Sequence, residues 1–276
     1  MKKILIPTDF SINSLHTIDY IIDFFKYEEC QFYFLNNYTY DSSGLNAIEL
    51  LQADDDWFEK PKKESLLQLG KLVEQHTLNS NNSKHEFNAI SKCITLVDGI
   101  KNSIEEIAID LVILSGSVGK SISKHNESIL EKIRSCPFLI VPPNAAVSND
   151  VYITIASDFK QKVNTIEIDK FCKTLTNTNY KIGILVLEES NTLDIDAANN
   201  LEIFTAYLKI YSGKKIDIEY IHSSKELKNY AVSHHDDIIC VIDQKPNLFR
   251  IIGLYKSKVI SKIGQLRHNT VLTIHQ

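Results

Sequence analysis

The feature that most constrains this chain is that it reads the same way twice. Short β-rich runs alternate with helical patterns from the first residues onward. Lys3–Ile6 is an apolar run ending at Pro7, and over Ser14–Lys26 the residues Ile18, Ile21, Ile22 and Phe25 share one helical face, with Ser11, Asn13 or Ser14 available as N-cap. Gln31–Asn36 reads as a strand, Lys62–His76 as a helix carrying Leu66, Leu67, Leu69, Leu72 and Val73, and His85–Ser91 as a strand. Asp98–Ala108 follows as a helix with Ile100, Ile104 and Ile107 inward, then a strand at Leu111–Leu114, a helix at Glu127–Arg134 and a last strand at Phe138–Val141. Strands separated by such helices define βαβ units and a mainly parallel sheet, and five of them suit a doubly wound α/β unit.

Pro142-Pro143-Asn144 stops the last strand, and the small, polar stretch through Asn149 reads as a linker. The second half then repeats the first. Strands are expected at Val151–Ala156, Lys181–Leu187, Ile216–Ile221, Ile238–Ile242 and Thr270–Ile274, and helices at Asn164–Leu175, Asp194–Tyr211, Ser224–Ser233 and Ser257–Leu266. The openings correspond residue by residue, Pro7-Thr8-Asp9-Phe10 against Ala156-Ser157-Asp158-Phe159, and so do Asp110-Leu111-Val112-Ile113 and Asp237-Ile238-Ile239-Cys240. Duplication of one α/β unit explains both matches, giving a first domain at 1–143, a linker at 144–150 and a second domain at 151–276.

Composition narrows the function. The 276 residues are 43% apolar and 24% charged, which excludes a disordered chain, and no run is long enough for a membrane span. The Met1-Lys2-Lys3 start is followed by too short an apolar run for a secretion signal, so a cytoplasmic protein is expected. A net charge of −5 argues against a broad nucleic-acid surface. The five cysteines are scattered and unpaired in sequence, the pattern of buried thiols rather than of a metal cluster or disulfide framework.

In a doubly wound sheet, ligands bind beyond the carboxyl ends of the strands. The loops there include Pro7–Asn13, Asn37–Gly44 and Gly116–Asn126. Asp9 closes the first strand, where a carboxylate can accept hydrogen bonds from a ribose or an amine, or cap the next helix; capping is the simpler expectation. Ser115-Gly116-Ser117-Val118-Gly119-Lys120-Ser121 invites three readings. A Walker A loop fails because Leu114 holds its first glycine position, and a nucleophile elbow fails because Ser115 stands where glycine is needed. A phosphate-binding G-x-x-G turn fits the strand–loop–helix context, as does a glycine-rich turn with no ligand. His234-His235 beside Asp236-Asp237 and His222, and the run Asp54-Asp55-Asp56, read as solvated segments rather than metal sites. The apolar stretch around Leu248, Phe249, Ile251, Ile252 and Leu254 reads as a loop folded over its own sheet, with a hydrophobic contact to a partner or lipid-like ligand as the alternative.

Several of these residues carry a family resemblance. The opening Lys3-Ile4-Leu5-Ile6-Pro7-Thr8-Asp9-Phe10-Ser11, the run Asp110–Leu114 into Gly116-x-x-Gly119, and the closing Cys136-Pro137-Phe138-Leu139-Ile140-Val141-Pro142 resemble the universal stress protein (UspA-like) family. The likeness continues more weakly through the second half, so the whole chain resembles a tandem member. It implies two adenine nucleotide alpha hydrolase-like, Rossmann-like domains, each a five-stranded parallel sheet of order 3-2-1-4-5 with helices on both faces. It also implies that the last strands pair the halves as a pseudo-dimer, with homo-oligomers and a protein partner left open. The family's ATP-binding branch, with Mg²⁺, would place Pro7, Thr8 and Asp9 by the nucleoside, Asn37 at adenine, and Gly116, Gly119, Lys120 and Ser128 at the phosphates.

The match departs at the family's second glycine: the family's own spacing lands on Ile129-Leu130, and a loop two residues shorter lands on Glu127-Ser128, where Glu127 would replace that glycine. A side chain there obstructs backbone approach, and a carboxylate repels phosphate. The second half keeps Asp158 but has no G-x-x-G, so no nucleotide is expected in it. The expectation is therefore a stress-response binding or signalling protein with at most one adenine-nucleotide site, in the first half, and no catalytic residues. The alternatives are a nucleotide-free interaction module, and a slow nucleotide hydrolase using Asp9 and the Gly116–Lys124 loop.

Overall fold

The computed structural model describes residues 1–40, 55–117, 124–145, 147–148, 150–188, 193–212, 216–243, 266 and 269–275. In the first half β1 (Lys2–Pro7), α1 (Ile12–Phe24), β2 (Cys30–Asn37), α2 (Asp55–Asn79), β3 (His85–Lys92), α3 (Leu96–Ile107), β4 (Leu111–Ser115), α4 (Lys124–Lys132) and β5 (Phe138–Val141) follow in turn. The second half gives β6 (Val151–Ser157), α5 (Ile166–Thr174), β7 (Tyr180–Val186), α6 (Ile195–Ser212), β8 (Asp217–Tyr220), α7 (Ser224–Ser233), β9 (Ile238–Asp243) and β10 (Thr270–His275). The helix expected at Ser257–Leu266 and the apolar loop before it lie outside the described residues, Leu266 excepted.

The ten described strands form one sheet of order β3-β2-β1-β4-β5-β10-β9-β6-β7-β8. The first five run 3-2-1-4-5, and the second five repeat that order from the other edge. Every neighbouring pair is parallel except β5 and β10, which meet antiparallel with Val271 opposite Ile140 and Thr273 opposite Phe138. Two parallel units thus join through their last strands.

Alternation along each strand sorts the core onto the two faces. Ile4 and Ile6 belong to the core cluster that includes residues of α1, α2, α5 and α6, whereas Leu5 belongs to the one that includes residues of α3, α4 and α7. Helices on both sides explain why β4 and β5 are apolar runs rather than alternating ones. At one outer edge, β8 exposes Asp217 and Glu219, charges that discourage further strand pairing.

Helix bounds differ from the pattern read in the sequence, most of all in α2. Helix α2 begins at Asp55 rather than Lys62 and runs through Pro61. Its buried face is Ser65, Leu69, Leu72 and His76, while Leu66 and Leu67 are 48% and 59% exposed. The spacing of four and three set by Leu69 and Leu72 therefore decides which side faces the sheet. Helix α1 begins at Ile12, with Ser11 as N-cap.

Polar contacts also cross between the halves. Glu28, in the turn after α1, has a fully buried side chain. It accepts from Lys2 Nζ at 2.5 Å, Asn177 N at 2.7 Å, Thr178 Oγ1 at 2.9 Å and Thr176 Oγ1 at 3.0 Å. On the same side, the Tyr20 and Thr270 hydroxyls meet at 3.1 Å.

Candidate functional site

The turn after β1 is built by side chains short enough to bond their own backbone. Thr8 Oγ1 accepts from Phe10 N at 3.0 Å, and Asp9 Oδ1 accepts from Ser11 N at 3.0 Å and from Ser11 Oγ at 2.6 Å. These bonds hold Phe10 at φ 60°, a left-handed conformation costing about 1–2 kcal/mol outside glycine. Ser11 then caps α1 by accepting from Ser14 N. Asp9 is thus not the cap that the sequence suggested; it orients the residue that is. Burial pushes the Asp9 carboxyl up, but the Ser11 hydroxyl and amide, with Ser14, more than offset this and hold it below the ordinary carboxylate value.

Beyond the carboxyl ends of β1, β2 and β4 this turn forms one wall of a cleft of about 480 Å³. Pro7, Leu96 and Leu114 are its apolar residues; Thr8, Asp9, Ser11, Ser14, Ser115 and Ser117 are polar, and four asparagines complete the lining with Gly116. Each asparagine gives its amide N–H to a main-chain carbonyl. Asn13 reaches Gly116 O at 2.7 Å, Asn36 reaches Thr8 O at 2.8 Å, Asn126 reaches Ser115 O at 2.8 Å and Asn37 reaches Ile94 O at 3.2 Å. The strand ends are therefore tied together by side-chain amides. Asn13 Oδ1, Asn37 Oδ1 and Ser115 Oγ are left buried without hydrogen-bond partners.

Gly116 is needed for close packing here. Its N–H bonds Val141 O at 2.7 Å, and a Cβ would lie 3.0 Å from that same oxygen and 3.1 Å from Pro142 Cα. Gly99, in α3, makes room for Asn37: a Cβ on it would stand 2.4 Å from Asn37 Nδ2.

Of the residues singled out in the sequence, Pro7, Thr8, Asp9, Asn37 and Gly116 meet at this cleft. Ser128 lies on α4 and is not in the lining; Asn126, two residues before it, is. Gly119 and Lys120 lie outside the described residues. Sequence reasoning passed over Asn36, Asn126 and Ser115 as site residues and treated Asn13 only as a cap. The one visible signal was a pair of amides, Asn36-Asn37, ending an apolar strand.

The second half repeats the turn but not the cleft lining. Ser157 Oγ accepts from Phe159 N at 3.1 Å, Asp158 Oδ1 accepts from Lys160 N at 3.2 Å, and Phe159 sits at φ 54°. Strand register puts Val186 and Leu187 in the places of Asn36 and Asn37, and Ile242 and Asp243 in those of Ser115 and Gly116.

A larger groove of about 850 Å³, reaching Lys26, His76, Lys84, His85 and Asn177, lies by the residue that opens β3, away from the strand ends where such sheets bind ligands. Its lysines are already paired, Lys26 with Asp23 and Lys84 with Glu29. Among the described residues, no group of three or more His, Cys, Asp or Glu side chains is placed to hold a metal ion.

No protein-family model matches the sequence, and no curated protein matches it. Solved structures do. A universal stress protein from Archaeoglobus fulgidus DSM 4304 superposes with a TM-score of 0.68 at 15% identity, over 99% of this chain and 98% of that one. A Pseudomonas aeruginosa UCBPP-PA14 protein described as a universal stress protein gives 0.62 at 11% identity, over 100% and 93%. A functionally unknown protein from Pseudomonas aeruginosa PAO1 gives 0.61 at 12% identity, over 100% and 92%. At these identities the likeness is one of fold, and it runs through both halves. The chain is thus an α/β protein with the universal stress protein fold.

Proposed function

We propose that the chain is a tandem universal stress protein that acts by binding, with one adenine-nucleotide site in the cleft of its first half. The observation that carries this reading is the ring of four asparagines around the ends of β1, β2 and β4, with buried unpaired oxygens beside apolar residues suited to a base. Buried polar atoms without partners are costly, and a ligand is one way to satisfy them. The base and ribose end of a nucleotide fits this lining. Mg²⁺ would come with the phosphates of such a ligand.

A binding role suits the side chains. No histidine, lysine or cysteine is among the described lining residues, and the Ser11–Asp9 hydroxyl–carboxylate pair found there serves the turn and the cap of α1. In this reading 1–143 and 151–276 are the two units, the antiparallel β5–β10 pair joins them as a pseudo-dimer, and only the first unit holds ligand. The protein would work in the cytoplasm, signalling stress to a protein partner. No described helix is long and apolar enough to cross a membrane.

The test is calorimetric titration of folded, ligand-free protein with adenine nucleotides and Mg²⁺, beside Asp9→Ala. One site per chain at about micromolar Kd, roughly −8 kcal/mol, weakened in the variant, is expected. No heat from the folded wild type would overturn the site and leave a nucleotide-free interaction module.

A further inference from the structure

We infer that the outer edge of β3, with the flank of α2 beside it, is the surface through which two copies of this chain pair about a two-fold axis at Ala89. This pairing is independent of the cleft and of any ligand in it.

The two outer edges of the described sheet differ. Strand β8 has four residues and exposes Asp217 and Glu219, whereas β3 has eight and no proline. Lys92 O accepts from Tyr38 N, so Lys92 turns its main-chain groups toward β2, and alternation turns those of Phe87, Ala89 and Ser91 outward. Among the described residues, these outward N–H and C=O groups have no hydrogen-bond partner. A second β3 laid antiparallel, Ala89 opposite Ala89, sets Phe87 opposite Ser91. Each outward residue then exchanges both bonds with its opposite, roughly six bonds in all. The same register sets Glu86 against Lys92 twice, whereas one centred on Asn88 sets Lys84 against Lys92. Within its own chain Glu86 accepts from Gln31 Nε2 at 2.6 Å and Lys92 Nζ donates to Glu106 at 2.8 Å. A carboxylate and an ammonium each have further bonding positions, so the cross-pairs add to these contacts.

The helix beside this edge carries a matching flank. Ser65 Oγ meets Ser91 Oγ at 2.7 Å and the His76 and Phe87 rings lie 5.8 Å apart, so α2 runs antiparallel to β3 with Gly70 near the level of Ala89. Gln68, Lys71 and Gln75 face α1, lining a hollow with Leu15 and Asp19. Leu66, Gly70, Val73 and Thr77 lie on the opposite flank, over the open edge, about 90° round the helix from buried Ser65, Leu69, Leu72 and His76. These four are uncharged; Leu66, Gly70 and Thr77 are exposed and Val73 is half-buried. A Cβ on Gly70 would meet nothing within 4 Å, so packing inside the chain does not call for glycine, which costs a helix about 1 kcal/mol relative to alanine. A two-fold axis at Ala89 does call for it, because the axis brings Gly70 of one α2 toward Gly70 of the other.

The experiment is sedimentation of the full chain, without nucleotide, at concentrations on the order of 10 µM. Wild type is compared with Gly70→Glu, Ala89→Pro and, as a control on the other half, Ile203→Glu, whose side chain is exposed on α6. Gly70→Glu adds a side chain where the single chain has room, and Ala89→Pro removes only an outward N–H, so both should fold, as circular dichroism would verify. The expected result is twice the 31.5 kDa chain mass for wild type and Ile203→Glu, with association at least tenfold weaker in the other two. A single-chain mass for wild type overturns the inference. So does a dimer that persists in folded Gly70→Glu or Ala89→Pro, or one lost equally in Ile203→Glu.

Discussion

Glu28 offers the sharpest test of how the halves are held together. Its side chain is fully buried and neutralised by Lys2, while Thr176, Asn177 and Thr178 of the second half close over its oxygens. Glu28→Ala removes one member of a buried ion pair and leaves those donors facing a void. Breaking such a pair costs about 3–5 kcal/mol, most of it from the charge left behind. Lys2 retains 16% exposure and can turn toward water, which puts the expected loss near the low end, about 3 kcal/mol. That is roughly a hundredfold in the folding equilibrium, readable as a lower urea midpoint with an unchanged slope.

The pH dependence separates this account from simple loss of packing. Burial pushes the Glu28 carboxyl up, but the Lys2 ammonium, the Asn177 amide and the Thr178 and Thr176 hydroxyls outweigh it and hold the folded value below the ordinary one. The unfolded chain therefore takes up this proton first. The stability Glu28 contributes is complete above the ordinary value of about 4.3 and is lost as pH falls through the lower folded value. The gap between wild type and Glu28→Ala should shrink on acidification. A loss below about 1 kcal/mol at neutral pH, or a gap unchanged in acid while both proteins stay folded, would refute the reasoning.

Other expectations follow from single contacts. Gly116→Ala presses a methyl group against Val141 O and Pro142 and should cost about 1–3 kcal/mol in thermal unfolding. Gly99→Ala should be neutral or up to about 1 kcal/mol stabilising through helix propensity, yet it displaces the Asn37 amide and should weaken ligand binding in the same calorimetric titration. Phe159→Ala empties a fully buried ring site and should cost about 3–5 kcal/mol in urea unfolding. Four thiols are buried, with burial pushing Cys30 up to about 12, Cys172 up to about 11, and Cys136 and Cys240 upward; Cys93 is exposed. A thiol reagent on the native protein should thus titrate one fast cysteine per chain, with the rest appearing only in denaturant.

The fold was legible because it rests on periodicity. Buried runs such as Leu111–Leu114 and Phe138–Val141 can be central strands of a helix-covered sheet, and the spacing between them leaves room for one crossover helix each. Reading failed where two faces competed. Leu66 and Leu67 look like core, but a helix through Leu69, Leu72 and His76 turns them outward, and Pro61 hides the first turns. The site was legible only in part. Asp9 and Gly116 stand out by position, whereas the roles of Asn13, Asn36, Asn37 and Asn126 depend on β1, β2, β4 and α4 converging, which no local pattern records.

The duplication itself separates scaffold from function. A strained backbone at a strand end is often taken to mark a binding site, and Phe10 and Phe159 both sit at positive φ where β1 and β6 end. Here the strain cannot carry that meaning, because the second half keeps it in full while Val186, Leu187 and Ile242 stand in the places of Asn36, Asn37 and Ser115. The turn persists for its own reason: Ser or Thr and Asp side chains pin two successive amides, and the aromatic ring following them packs into the core. At the described strand ends the halves then differ in their polar lining, apolar in the second and rich in amides where the cleft of the first opens. Introducing Asn36→Val and Asn37→Leu together makes the first half resemble the second. If the amides serve the ligand, this double variant should fold, keep the turn and lose binding, with nuclear magnetic resonance following the Phe10 amide and calorimetry following the ligand. Binding that survives in the folded double variant would return the site to the turn and refute the division.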